Sequence, residues 1–298
     1  MVAPRSSRPK AVVIHGALFA VNLLFAINYI VSKLGMSSFD PLTFAYLRVI
    51  GAAIILNVLI RGAAPLSRAD FKRVVLYSLL GVVINQSMFL GGLALTSAHV
   101  AAILITAVPL FTFGAAMVFK EERVTAMKVA GIAIAAAGAL TVVGGEGLGG
   151  ATKSVVGDLL IVGNSLSYAL FLVLSKPDMG RLGPRRVIAR MFAIASVLML
   201  PIAAVPMLRL HWRTIPPSAW LSLAFVIAGP TIAAYLLNAW ALAHTDSSLV
   251  AAYTYLQPIL TVVMAAMFLG EQIRPLAIVA GVLIFTGVWL AGRTAKIA

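Results

Sequence analysis

The sequence contains no cysteine, which excludes disulfides, thiol catalysis and cysteine-ligated metal sites. Charge is also scarce: 11% of the 298 residues are Asp, Glu, Lys or Arg, where a soluble domain carries roughly 25%. A water-facing surface cannot be covered with so little polar material, so a soluble globular protein is excluded. Only nine residues are acidic, and all of them fall in connections or near the ends of apolar runs. The polar connections are short, which leaves no room for a nucleotide-hydrolysing domain. Neither H-E-x-x-H nor G-x-S-x-G occurs, so no signature of an intramembrane hydrolase is present.

What is present is apolar sequence, 61% of the chain, divided into runs at about 12–32, 42–60, 74–94, 98–119, 125–143, 156–175, 187–208, 218–241, 248–269 and 275–291. A membrane-crossing helix needs about 20 apolar residues, so ten spans are expected. Charge and proline mark their ends, as at Asp40-Pro41, Lys176-Pro177 and Glu271 to Pro275. Arg5, Arg8 and Lys10 precede the first run as in a signal peptide, but the apolar core is too long and no clean cleavage site follows it. It is expected to stay as a helix.

The formal charge of +14 raises nucleic acid as a partner, but the basic residues lie in short clusters between apolar runs. With ten spans and the N-terminus inside, 17 of the 23 Lys and Arg residues fall on the inner side. That is the positive-inside bias of a multi-pass protein with both termini cytoplasmic; no nucleic-acid partner is expected.

Self-comparison finds a repeat. Residues 94–122 align without gaps to 243–271 at an offset of 149, pairing Thr96 with Thr245, Pro109 with Pro258, Thr112 with Thr261, Phe119 with Phe268 and Glu122 with Glu271. Weaker echoes link Ser32-Lys33 to Ser175-Lys176 and Arg48 to Arg190. The unit holds five spans, an odd number, so the second copy enters the membrane from the opposite side. Inverted repeats of this kind support alternating access to a central site.

The pattern L-x-x-T-S-A, a mid-helix Pro and F-x-x-E occurs at Leu93 to Glu122 and, modified to Thr245-Asp246-Ser247, at Ala241 to Glu271. With Asn28-Tyr29 to Lys33 and Asp40-Pro41-Leu42-Thr43 to Arg48, it resembles the drug/metabolite transporter superfamily, EamA type, over nearly the whole chain. The resemblance implies an all-α integral membrane protein, ten helices as two inverted five-helix repeats, with a central cavity that carries small metabolites, often outward. The expected division is 1–145, including a cytoplasmic tail 1–10, and 156–292.

Polar side chains within spans turn to the bundle interior or a wet cavity. Asn22, Asn85 and Asn164 belong to that midspan set. Asn28, Tyr29, Gln86, Tyr168, Tyr235, Asn238, Tyr253 and Gln257 are the candidates to line the cavity, with interhelical hydrogen bonding the competing role for each. Phe25, Phe89, Phe111, Phe171 and Trp240 interleave with them, for stacking or for packing. Pro109 and Pro258 are candidate hinges. Arg48, about seven residues into its span, is expected to anchor near the outer interface, the other reading being attraction of an anionic substrate group. Glu122 and Glu271 are expected to act structurally or in gating. Asp158 is the deepest acid and His15 its counterpart, each near an interface, which leaves proton coupling, exchange and facilitated diffusion all open.

These residues point to a secondary transporter in a bacterial inner membrane, moving small polar metabolites such as amino acids or related amines, in the exporting direction. A channel or an intramembrane enzyme is the alternative. The expected partners are a small-molecule substrate and the bilayer, with the chain as a monomer or weak homodimer; no cofactor and no metal are expected.

Overall fold

The structure is a computed structural model and describes residues 9–60, 65–96, 101, 104–121, 125–145, 155–269 and 275–293. His99, Glu122, Arg123, Glu271 and Arg274 lie outside the described residues. No strand occurs among the described residues. The helices are α1 (Ala11–Gly35), α2 (Pro41–Leu59), α3 (Arg68–Leu95), α4 (Ala107–Val118), α5 (Ala126–Gly145), α6 (Val155–Leu182), α7 (Pro184–Arg209) and α8 (Pro217–His244). They continue with α9, which runs from Ser247–Ala252 through a 3-10 turn at Tyr253–Tyr255 to Leu256–Leu269, and α10 (Pro275–Arg293). Six of them, α1, α2, α3, α6, α7 and α8, are long and apolar enough to cross a membrane. The stretches Ala107–Val118, Ala126–Gly138 and Val282–Ala291 are apolar but shorter.

Local chemistry sets the helix ends. The Asp40 carboxylate accepts from the backbone N–H groups of Leu42 (2.9 Å) and Thr43 (3.2 Å), and Pro41 occupies the first helical position, where its missing donor costs nothing. Ser67 caps α3 by accepting from Asp70 N at 3.1 Å, while its hydroxyl donates to the Asp70 carboxylate at 2.7 Å. The end expected at Lys176-Pro177 is not an end. Helix α6 continues through Pro177 to Leu182 and stops before Gly183, whose φ of 85° lies in the region that favours glycine. Proline removes one backbone donor from α6, and the turn beyond it is held by the ion pairs of Asp178 and Arg181 described below.

Helices α3 and α8 each contain a π-helical stretch, at Leu79–Ile84 and Ile227–Ala233. Such stretches break the regular i to i−4 ladder and release carbonyls to other donors. Thus Gly81 O accepts from the Tyr235 hydroxyl (2.9 Å) and Leu80 O from the Ser167 hydroxyl (2.7 Å), which ties α3 to α8 and to α6.

The packing has a regular pattern. Helix α2 lies on α7 and α5 on α10; α1 packs against α8 and α9, and α6 against α3 and α4. Shifting every label by five leaves these pairings unchanged. The α5–α10 contact has backbone against backbone: a Cβ built on Gly287 would sit 2.5 Å from Ala135 N and Gly131 O, and one on Gly131 would sit 2.7 Å from Ala291 N and Gly287 O. Small residues permit this approach where dispersion, and not the hydrophobic effect, drives helix association.

The contacts of two lysines fix the directions of α1 and α6. At the C-terminal end of α1, Lys33 donates to Thr96 O (2.9 Å), and the Thr96 hydroxyl donates to Asp158 in the first turn of α6 (3.0 Å). Lys176, near the other end of α6, reaches the Asp246 carboxylate at 3.3 Å, which also accepts from the buried Lys128 at 2.8 Å. Asp158 and Lys176 are 18 residues apart, about 27 Å along a helix. The C-terminal ends of α1 and α6 therefore lie at opposite ends of the bundle.

Candidate functional site

A small cavity lies among α1, α2, α3, α4, α6, α8 and α9. Helix α1 contributes Phe25, Asn28 and Tyr29; α2 contributes Arg48; α3 contributes Asn85, Gln86 and Phe89. Val108 of α4, Ile105 just before it, Asn164 and Tyr168 of α6, Tyr235 of α8, and Thr254 and Gln257 of α9 complete the wall. Among the described residues, no carboxylate lines it.

The lining is cross-linked between helices. Tyr29 donates to Gln257 Oε1 (2.9 Å), and Gln257 Nε2 donates to Asn22 Oδ1 (2.8 Å), which joins α1 to α9. Gln86 Nε2 donates to the Tyr235 hydroxyl at 2.7 Å, across α3 and α8. Asn164 Nδ2 donates to Asn85 O at 2.8 Å, and Ser32 donates to Asn28 Oδ1 at 3.0 Å. Rings fill the space between these amides: Tyr29 meets Phe89 edge-on at 5.5 Å, and Phe192 meets Tyr235 edge-on at 5.1 Å. A wall so bonded holds its donors and acceptors in place.

Of the sequence-derived candidates, Asn28, Tyr29, Gln86, Tyr168, Tyr235 and Gln257 are on the wall. Asn238 stands behind it, donating to the Tyr168 hydroxyl at 2.8 Å. Tyr253 lies off it, with its hydroxyl 2.5 Å from His15 Nδ1. Pro109 and Pro258 each occupy the third position of a helical stretch, Ala107–Val118 and Leu256–Leu269. The break in α9 precedes its proline, at the 3-10 turn Tyr253–Tyr255, so this proline starts a helix and does not interrupt one.

Arg48 departs from expectation. It does not reach an interface: it is 1% exposed, on the cavity wall, with Nε donating to the Thr231 hydroxyl at 3.0 Å and Nη1 without a hydrogen-bond partner. Thr231 belongs to the π-helical stretch of α8, 183 residues further along the chain. The sequence carries no local sign of that pairing.

A second polar cluster joins α3 to α6 near the Lys176 end. Arg73 Nε donates to Asp178 Oδ2 (2.8 Å), Arg181 pairs with Asp70 and with Asp178 (2.6 Å), and the Tyr77 hydroxyl donates to Asp178 (2.9 Å). The acids that looked like loop charges are thus ends of a cross-helix network.

Comparison with known proteins agrees with this architecture. The EamA-like transporter family matches residues 14–144 and again 155–293. An uncharacterized transporter of Archaeoglobus fulgidus is 26% identical over 95% of this chain and 97% of its own length. A probable terminal-alkyne amino-acid exporter of Streptantibioticus cattleyicolor is 26% identical over 88% of this chain and 87% of its own. One crystal structure of a protein superposes with a TM-score of 0.73 at 19% identity, covering 96% of this chain and 97% of that one, which is a likeness of fold. With two matches spanning nearly all of its length, the chain belongs to the EamA-like transporter family.

Proposed function

We propose that this chain is a secondary carrier of small polar metabolites, amino acids among them, that works outward across a bacterial inner membrane by alternating access. In this reading the ten helices all span the bilayer, 1–145 and 156–292 form two five-helix repeats of opposite orientation, and both termini are cytoplasmic. The opposed directions of α1 and α6 and the pairing pattern that survives a shift of five helices support it. The observation that carries it is the cavity, walled by amides and phenols from both halves of the chain. The name of the Streptantibioticus relative supports amino acids as cargo. A carrier shows saturable counterflow in proteoliposomes, where unlabelled substrate inside drives uptake of labelled substrate outside. Flux without counterflow or saturation would instead identify a channel. Because the chain has no cysteine, single cysteines placed in successive connections report the orientation of each span by labelling with an impermeant maleimide.

A further inference from the structure

We propose that Arg48 is the anion receptor of the cavity and that a carboxylate is an obligatory part of what the cavity binds; this rests on reading the cavity as the carrier's substrate site. Arg48 is 1% exposed, and its one hydrogen bond goes to a neutral hydroxyl, that of Thr231. Nothing in the described lining neutralises it: the wall holds amides, phenols, a threonine and apolar groups. Several other cations hold carboxylates. Buried Lys128 holds Asp246, and Arg73 and Arg181 hold Asp70 and Asp178. Arg190, which a weaker sequence echo links to Arg48, reaches Asn57 at 3.5 Å and is not on the cavity wall. Among the described residues, Arg48 is thus the one charged group on the cavity wall.

A buried charge without a counter-charge is costly inside a membrane protein and marks a functional position. Guanidinium is a planar donor fork matched to a carboxylate, and it remains charged at any physiological pH. Its Nη1 is an unpartnered buried donor, and across the same lining Gln86 Oε1 is an unpartnered buried acceptor. A solute that offers an anionic acceptor together with an N–H or O–H donor answers both. A cationic amine meets unscreened like charge, and a neutral sugar or nucleoside leaves the guanidinium uncompensated. Arg48 thus acts as a specificity determinant that excludes amines and neutral solutes.

The test is thermal shift of the purified chain with the common amino acids, each beside its decarboxylated amine and its carboxamide, since a ligand of the folded state raises apparent stability. Every stabilising ligand is expected to carry a carboxylate, with its amine and amide weaker by at least about tenfold, as loss of a charge-assisted hydrogen bond predicts. Arg48→Gln removes the preference, and Arg48→Lys keeps it at lower affinity because an ammonium lacks the fork. If the variants fail to fold, the wild-type comparison decides alone. An amine or amide that binds as well as its parent acid overturns the proposal, as does binding by no carboxylate in the panel. Counterflow of the binders separates the two readings: exchange of carboxylate-free solutes leaves the carrier standing and removes the receptor. Carboxylate binding without exchange does the reverse.

Discussion

Gln86 and Tyr235 are hydrogen-bonded at 2.7 Å and stand 149 residues apart, the same offset that aligns 94–122 with 243–271. Two residues related by the sequence repeat thus touch each other at the cavity wall. The π-helical stretches that precede them begin at Leu79 and Ile227, close to the same offset. Tyr235 also donates to Gly81 O in the first of those stretches, which makes this pair the joint between α3 and α8.

A double-mutant cycle measures that joint. Gln86→Leu and Tyr235→Phe each remove one partner, and the coupling between them is expected at about 0.6–1.7 kcal/mol, the range for hydrogen bonds between membrane helices. Unfolding of the four proteins in mixed micelles supplies the numbers. Strict additivity would mean that the two side chains do not meet.

The α5–α10 contact predicts a sharp difference between glycines. A Cβ at Gly287 would lie 2.5 Å from the backbone of α5, which cannot yield without moving the helix, whereas none lies within 4 Å of a Cβ at Gly114. Gly287→Val is expected to abolish the folded monodisperse protein. Gly114→Ala is expected to raise stability slightly, by up to about 1 kcal/mol, through helix propensity. Size-exclusion profiles and melting temperatures of the two variants check this; equal behaviour would remove the packing argument.

How much of this was legible beforehand depended on whether the signal was periodic. The repeat offset pairs Pro109 with Pro258 and places both at the start of a helical stretch after an irregular turn. Amides and phenols within apolar runs must turn inward, and most of the candidates on α1, α3, α6, α8 and α9 are on the wall for that reason. Arg48 was misplaced because depth within a run permits both a guanidinium that reaches outward and one that turns inward. Thr231 on a distant helix decides between them. Asp178 and Arg181 were missed because Pro177 resembles a helix end, yet the helix runs on and carries them to Asp70 and Arg73.

Pro258 begins the helix after the 3-10 turn Tyr253–Tyr255, and two wall residues, Thr254 and Gln257, flank that change of helical type. Its fixed φ and missing donor keep the turn from winding into continuous α-helix. Pro258→Ala allows it to do so. The expected result is slower counterflow with substrate affinity about unchanged; unaltered turnover in reconstituted vesicles would reject Pro258 as a hinge element.

The ionic cluster between α3 and α6 has no repeat counterpart among the described residues. By the repeat, Asp70, Arg73, Asp178 and Arg181 correspond to Ala219, Ser222, Gly35 and Ser38, none of which can form an ion pair. At that opposite end, Phe39 instead meets Trp220 edge-on at 5.2 Å. Among the described residues the cluster is expected to respond to salt, because interactions of half-exposed arginines such as Arg73 and Arg181 are strongly screened. In a chain without native cysteine, a lone Val108→Cys on the cavity wall reports access to the cavity. Asp178→Asn is expected to speed its labelling by an impermeant maleimide from the Lys176 end. High salt is expected to do the same to the otherwise wild-type chain, and the swapped pair Arg73→Asp with Asp178→Arg to restore slow labelling. A labelling rate indifferent to both the substitution and salt would show that these charges only stabilise the fold and do not hold that end shut.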